Sequence, residues 1–475
     1  MKLMITKSQL LLLFLNLILV PTMLLLDVDI LLICIIETFV ILTIVCFKDI
    51  NTNIFFFCFL CSFFVFLVSG DLADALFGKK YWLQFSEAAN YHAHFCILLS
   101  LVFLLIGYFI TKKPYALENI NCTSLSEANE YKVIGIREIS KYAYYVSYIF
   151  LLTDTLYKVY YVLINGYVSY YVGYASILGV FSQIGDLCPI ALCSFLATFP
   201  SKDECKWPFR WFFVYAICGF LVGQRGALVY NLIFIVGYMF YRNKHDSNAE
   251  IWIKKRWIIS FCIAIPFVIV FFQIYGYIRE GIAFEFESFM DTFVDFFVSI
   301  GASSKVIKAG FDYRSYLSDF KFYSLGDTLN YFKYSRLFHW FGTIPAAHTA
   351  EYALQGHSYG DMISYLYMKS QYLAGHGAGS SFIACLFTDF GYLGVAIGSF
   401  LYGVLFKKIS ALNSNKWLST TLKLYALLFL FKSPRGSYDC FVGAIVNVTF
   451  IITIVLIHQL GTGLKVSSPR IGNRN

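Results

Sequence analysis

Long apolar runs separated by short polar stretches recur along nearly the whole chain. They fall at about 9–26, 29–47, 54–70, 93–111, 142–165, 176–199, 211–223, 226–241, 257–276, 379–406, 418–432 and 441–460. A helix crosses a bilayer core with about 20 apolar residues at about 1.5 Å rise each. Inside lipid a helix also satisfies its backbone polar groups within one segment. The pattern predicts an all-α, polytopic transmembrane bundle of about 12 spans. The first run follows Lys2 and Lys7 but has no small-residue cleavage site, so it reads as an uncleaved span.

The runs at 211–223 and 226–241 meet at Gly223-Gln-Arg-Gly226. One continuous helix there would bury Arg225 near the bilayer centre, at about 2.5–3.5 kcal/mol or more. A turn that surfaces Arg225 avoids that cost, so two short spans are expected.

Residues 277–378 break the rhythm. They hold no run of spanning length, and acidic and basic residues return. The chain therefore divides into 1–276 (spans one to nine), 277–378 (a large outer loop) and 379–475 (spans ten to twelve and a tail). A loop this long without structure is uncommon. Phe286, Phe289, Met290, Phe293, Phe297 and Ile300 fall at helical spacing, with Glu285, Glu287, Asp291 and Asp295 between them. That spacing predicts an amphipathic helix on the membrane surface or the bundle mouth. Ser358 to Tyr372 is a second helical segment by the same criterion.

Composition agrees with a membrane protein. The chain is 59% hydrophobic and 14% charged, whereas soluble domains carry about 25% charged residues. Mean hydropathy is +0.65. The net charge of +8 does not point to nucleic acid. With the N-terminus inside, alternate loops and both tails hold about 22 Lys and Arg, against about five in the short loops opposite, which is the positive-inside bias. Both termini are then cytoplasmic and 277–378 lies outside. Most of the 13 cysteines sit within apolar runs, where Cys acts as a small hydrophobe. None has zinc-site spacing, and neither a disulfide framework nor a metal is expected.

The candidate chemistry collects at the outer ends of spans. Arg225 lies between two spans, Arg279 follows the ninth in Tyr277-Ile-Arg-Glu280, and Arg435 lies in Ser433-Pro-Arg-Gly436. Arginine suits bidentate contact with phosphate oxygens, so three at one level suit a diphosphate. Interfacial arginines also anchor helix ends, and for any one of them the two readings are even. Arg314 and Arg336 are secondary cations of the outer segment. His376, in Gly375-His-Gly-Ala-Gly-Ser-Ser381, is the first choice for a general base, with Glu280 beside it and His348 and His357 behind. Asp154 and Lys158 are four apart on one helix face and read as a structural ion pair. Glu37 and Asp186 are single intramembrane acids.

Three stretches carry a resemblance. Gly375-His-Gly-Ala-Gly-Ser-Ser-Phe-Ile-Ala384, followed by Asp389-Phe-Gly-Tyr-Leu-Gly394, resembles the late motif of Wzy-type O-antigen and oligosaccharide repeat-unit polymerases. Gly223-Gln-Arg-Gly-Ala-Leu228 resembles the Arg-Gly element of the same family. The order of many spans, a large late loop and a short final set is also similar. The resemblance implies a GT-C-like fold in the bacterial inner membrane. It implies substrates that are oligosaccharide repeat units on undecaprenyl diphosphate, joined at the periplasmic face with that diphosphate as leaving group. Arginines would hold the diphosphate and a loop His would stand near the acceptor, with no metal or other cofactor. Membrane lipid and a chain-length regulator protein are the further partners implied. An O-antigen ligase is the nearest alternative, and a lipid-linked oligosaccharide flippase the alternative of another class.

Overall fold

The computed structural model describes residues 7–26, 28–78, 85–111, 127–245, 251–286, 288–301, 303–317, 321–335, 345–413 and 416–464. Every regular element among them is helical. In chain order these begin with α1 (Lys7–Leu25), α2 (Ile30–Phe47), α3 (Ile50–Phe63), α4 (Ser69–Phe77), α5 (Glu87–Ile110) and α6 (Glu127–Asn165). There follow α7 (Tyr167–Gly173), α8 (Ser182–Gly185), α9 (Leu187–Leu196), α10 (Lys202–Leu221), α11 (Arg225–His245) and α12 (Lys255–Glu280). The segment after α12 carries α13 (Phe289–Ile300), α14 (Ser303–Asp312), α15 (Gly326–Tyr334), α16 (Ala350–Gln355), α17 (Tyr359–Tyr367) and α18 (Lys369–Leu373). The chain returns to long helices with α19 (Phe382–Ile409), α20 (Trp417–Leu430), α21 (Cys440–Val446) and α22 (Val448–Gly463).

Among the described residues, five helices are each long and apolar enough to cross a membrane: α2, α3 running into α4 as Ile50–Phe77, α5, α12 and α19. α21 and α22 together make a sixth, bent by 56°. α3 joins α4 through a π-helical turn, Phe64–Val68. The tightest pairing sets α5 against α19. A Cβ on Gly107 would lie 2.1 Å from the Phe400 carbonyl oxygen, so only glycine permits this backbone approach. Ser399 Oγ donates to Ser100 Oγ across the same seam at 2.8 Å. Phe59, Phe382, Tyr402 and Phe406 close the centre with ring-to-ring contacts.

Two expected spans are not single helices. Across 176–199 the chain forms a 3₁₀ turn, the four-residue α8, then α9, with Asp186 at the break. Pro189 lacks an N–H, which suits the first turn of a new helix and not the interior of a continuous one. Across 441–460 the chain bends at Asn447, whose side chain accepts from Thr449 N and starts α22 afresh. The two breaks face a cavity of about 350 Å³ lined by Leu151, Asp186, Tyr215, Tyr425, Asn447 and Phe450 among others. Elsewhere, Lys158 Nζ lies 2.8 Å from Asp154 Oδ2, and Glu37 accepts both its hydrogen bonds from Asn16.

The segment 277–378 is folded at the bundle mouth. α13 begins at Phe289, capped by Ser288, and leaves Phe286 outside. It buries Val294 and Phe296 against the bundle and leaves Phe289 and Met290 exposed. α14 is fixed by charge. Lys308 Nζ sits 2.7 Å from Asp71 Oδ1 of α4, and His94 of α5 bridges Asp71 and Asp29 at 3.4 and 2.7 Å. The expected Ser358–Tyr372 helix is divided at Met368 into α17 and α18.

Candidate functional site

The tight connection between α10 and α11 builds the first part of the site. α10 ends at Leu221, and Gly223 takes φ +97°, a left-handed conformation that glycine adopts without penalty. A Cβ there would lie 2.4 Å from the Tyr167 ring and 2.9 Å from Arg279 Cδ. The turn thus lets α7 and the end of α12 close over it.

Arg225 and Arg279 hold this junction together. Arg225 Nη1 donates to the Phe272 carbonyl of α12 at 2.8 Å, and Arg279 Nη1 donates to the Gly223 carbonyl at 2.8 Å. The Arg279 guanidinium lies 4.0 Å above the Tyr167 ring. Its Nη2 pairs with Glu280 Oε1 at 2.5 Å, and its buried Nε has no hydrogen-bond partner among the described residues. Arg225 stands at the turn, outside the apolar run that begins at 226. Burial and the neighbouring positive charges of Arg279 and Arg435 bring its guanidinium down to about 10.

Arg435 arrives from the 3₁₀ turn Ser433–Arg435 after α20. Its guanidinium lies 5.7 Å from the Phe66 ring, which the π-helical turn supplies. Ser62 Oγ donates to the Phe431 carbonyl at 2.6 Å and ties the two segments. The repulsion felt at Arg225 sets the three arginines in one positive field. Glu280, paired with Arg279, and Tyr167 act against that repulsion at Arg225.

The glycine-rich loop links this field to α7. Gly375, at φ +99°, packs on Val168 and Val172 of α7, and Gly379 abuts the Arg435 side chain. Ser380 N donates to the Arg435 carbonyl at 3.4 Å. His376 lies between these two contacts. Its backbone N–H goes to the Gln371 carbonyl, and its imidazole makes no hydrogen bond among the described residues.

The remaining sequence candidates separate. His348 stands beside this loop, its Nδ1 3.2 Å from the Tyr372 carbonyl and its ring against Tyr171 and Tyr372. His357 is engaged elsewhere, with Nδ1 2.6 Å from the Lys321 carbonyl. Arg314 covers Phe311 at 4.3 Å and donates to its carbonyl, with no contact to the three arginines. Arg336 lies outside the described residues. Among the described residues no group of three or more His, Cys, Asp or Glu converges as a metal site.

Several contributors carried no signal of their own in sequence. Tyr167 is one tyrosine in a tyrosine-rich stretch, and Phe66 one phenylalanine in an apolar run. Asp389, within the late motif, accepts from Tyr323 N and Ser324 N at 3.0 and 2.6 Å. Asp439 accepts from Asp327 N and Thr328 N at 3.2 and 2.8 Å. Both carboxylates pin the outer segment to the long helices.

The described residues form a helical bundle with several membrane-length apolar helices, in which three arginines and a glycine-rich histidine loop lie near one another, the architecture of a polytopic integral membrane protein. The family follows from the sequence as a whole: the model for the O-antigen polysaccharide polymerase Wzy matches residues 4–462, and the chain belongs to that family. No curated protein and no solved structure gives a match. The family joins O-antigen repeat units, so this chain is an integral membrane polymerase of lipid-linked oligosaccharide.

Proposed function

We propose that the chain moves a growing glycan from undecaprenyl diphosphate onto the non-reducing end of a second lipid-linked repeat unit, at the periplasmic face of the bacterial inner membrane. Both chain termini are then cytoplasmic, in keeping with the Lys and Arg bias of the loops. The acceptor hydroxyl oxygen attacks the anomeric carbon. The bond from that carbon to the diphosphate oxygen breaks, and its electron pair leaves with the lipid diphosphate. The hydroxyl proton passes to a base.

The convergence of Arg225, Arg279 and Arg435 carries this reading. The leaving diphosphate gains negative charge as the bond breaks, and fixed guanidinium groups favour that state over the ground state. His376 is the base of choice, since its loop runs between α7 and Arg435 and its imidazole is uncommitted. Glu280 is paired with Arg279, so its first task is to hold that guanidinium. It is the second candidate proton acceptor.

The test is complementation of a strain lacking this protein. Arg225→Ala, Arg279→Ala and Arg435→Ala are expected to insert normally and to leave single repeat units on the lipid core. Wild-type chain length in all three would overturn the arginine assignment. Loss of every repeat unit from the core, instead of retention of one, would identify a ligase.

A further inference from the structure

α19 begins with a set of open backbone donors. The first N–H to bond within the helix is that of Cys385, to the Ser381 carbonyl at 3.0 Å. The N–H groups of Ser381, Phe382, Ile383 and Ala384 have no hydrogen-bond partner among the described residues. A helix start normally hands such donors to water or to a capping side chain. These four residues are at most 2% exposed, which keeps bulk water away. Ser381 stands at the capping position, yet its side chain makes no cap bond. Its Oγ is itself buried without a partner among the described residues. Buried polar groups are nearly always paired, so a hydroxyl and four N–H groups left open at one helix start call for an acceptor.

Positive charge stands beside this start. A Cβ on Gly379, two residues before Ser381, would lie 3.2 Å from Arg435 Nε. Gly379 takes φ +84°, which lets the loop backbone run against the guanidinium. That guanidinium rests on the Phe66 ring and has no ion pair among the described residues. α19 runs unbroken from Phe382 to a kink at Gly391, and its start carries the positive end of the peptide dipoles. A positive pole and a guanidinium side by side repel each other, and an anion between them relieves both.

Carboxylates lie one turn further on. Asp389, Asp439 and Asp327 all act on Cys385. Asp389 and Asp439 are held by backbone N–H groups, and Asp327 by the Ser437 hydroxyl. None of them bonds to the start of α19. Gly379, Ser380 and Arg435 are half-buried and Gly377 is exposed, so an anion approaches through the glycine-rich loop.

We propose that the start of α19, with Ser381 Oγ and Arg435, binds a phosphate group of the lipid-linked substrate. The assignment rests on the polymerase reading above and extends it from side-chain cations to backbone donors. A phosphate brings several acceptor oxygens together with negative charge, which is what N–H groups, a hydroxyl and a guanidinium jointly take. The glycine-rich loop then has two tasks. It carries His376, and it brings Arg435 against the helix start.

The test uses the full-length protein in phosphatidylcholine nanodiscs, with polyprenyl diphosphate as probe and inorganic diphosphate as competitor. Ser381→Asp puts a fixed carboxylate where the phosphate binds. It is expected to raise the ligand-free thermal midpoint, since aspartate caps a helix start well. It should also weaken binding of the probe by about a hundredfold or more. Ser381→Ala removes one donor and should weaken binding about tenfold at a little changed midpoint. Inorganic diphosphate should displace the probe from the wild type. Wild-type affinity in Ser381→Ala would overturn the proposal, whether or not the aspartate variant folds. Wild-type affinity in a folded Ser381→Asp would do the same. Phosphatidylglycerol discs test the other source of phosphate. If that lipid stabilises the wild type through Ser381 while polyprenyl diphosphate does not bind, the site takes a headgroup and the substrate assignment falls. Weakened binding in both variants, with no glycan transfer by the wild type, would keep the phosphate site and sink the polymerase reading alone.

Discussion

Arg279 lies 4.0 Å over the ring of Tyr167 while its Nη1 holds the Gly223 carbonyl. One side chain thus closes α12 over the α10–α11 turn and keeps its charge at that junction, paired with Glu280. A guanidinium does both because it is planar: it stacks on the ring and still directs N–H groups sideways. A lysine ammonium keeps the charge and loses that geometry, along with about 1–2 kcal/mol of stacking. Arg279→Lys is therefore expected to reduce polymer at least tenfold while membrane insertion stays normal. Glycan chain length on gels measures the first and protease protection the second; unchanged chain length would show that charge alone suffices.

Gly223 is where that closure meets backbone limits. Its φ of +97° costs an L-residue about 1–2 kcal/mol. The added Cβ would also meet the Tyr167 ring at 2.4 Å. Gly223→Ala should lower the thermal midpoint in detergent and abolish polymer. Gly281→Ala offers a control: it shares a positive φ but has nothing within 4 Å of the added Cβ, so polymer should persist.

The outer segment depends on a buried charge pair. Lys308 and Asp71 have side chains only 5% and 7% exposed, and they join α14 to α4. Removing one partner leaves the other charge buried, which costs about 3–5 kcal/mol. Lys308→Met should lower the thermal midpoint by several degrees and open 303–312 to proteolysis. The double variant Asp71→Leu/Lys308→Met should recover part of the loss. If the single and double variants melt alike, the pair is not what holds α14.

The helical bundle is legible in the sequence because lipid demands long apolar helices. Arg225, Arg279 and Arg435 stand out in the sequence because a charge beside a span has few purposes, and in the structure the charges of Arg279 and Arg435 both act on Arg225. The breaks at Asp186 and Asn447 are not legible in the sequence. Hydropathy averages over a run, and it does not record that Asn447 caps Thr449 or that Pro189 starts a new helix. Among the secondary candidates, residue type misled. Arg314 and His357 serve Phe311 and Lys321 locally, and nothing in their neighbours announces it. The ties that shape the site run across long separations. Asp439 reaches back 112 residues to Asp327, and Lys308 reaches 237 residues to Asp71. No local pattern encodes such pairs.

Asp327 gives the last prediction, on stability against pH. Its carboxyl is shifted up from 3.8, first by burial and then by the charges of Asp439 and Asp361, against the opposing hydrogen bond from the Ser437 hydroxyl. A raised folded value means the native state holds its proton more tightly than the unfolded chain does. The stabilisation from that proton is complete below 3.8 and is lost as pH rises through the folded value. Above that window the ionised wild-type side chain works against the fold. Asn carries no such charge. Asp327→Asn should therefore melt higher than wild type at pH 7, and the gap should close as pH falls toward 3.8. A variant that melts lower than wild type at pH 7 would assign Asp327 to holding α15 in place.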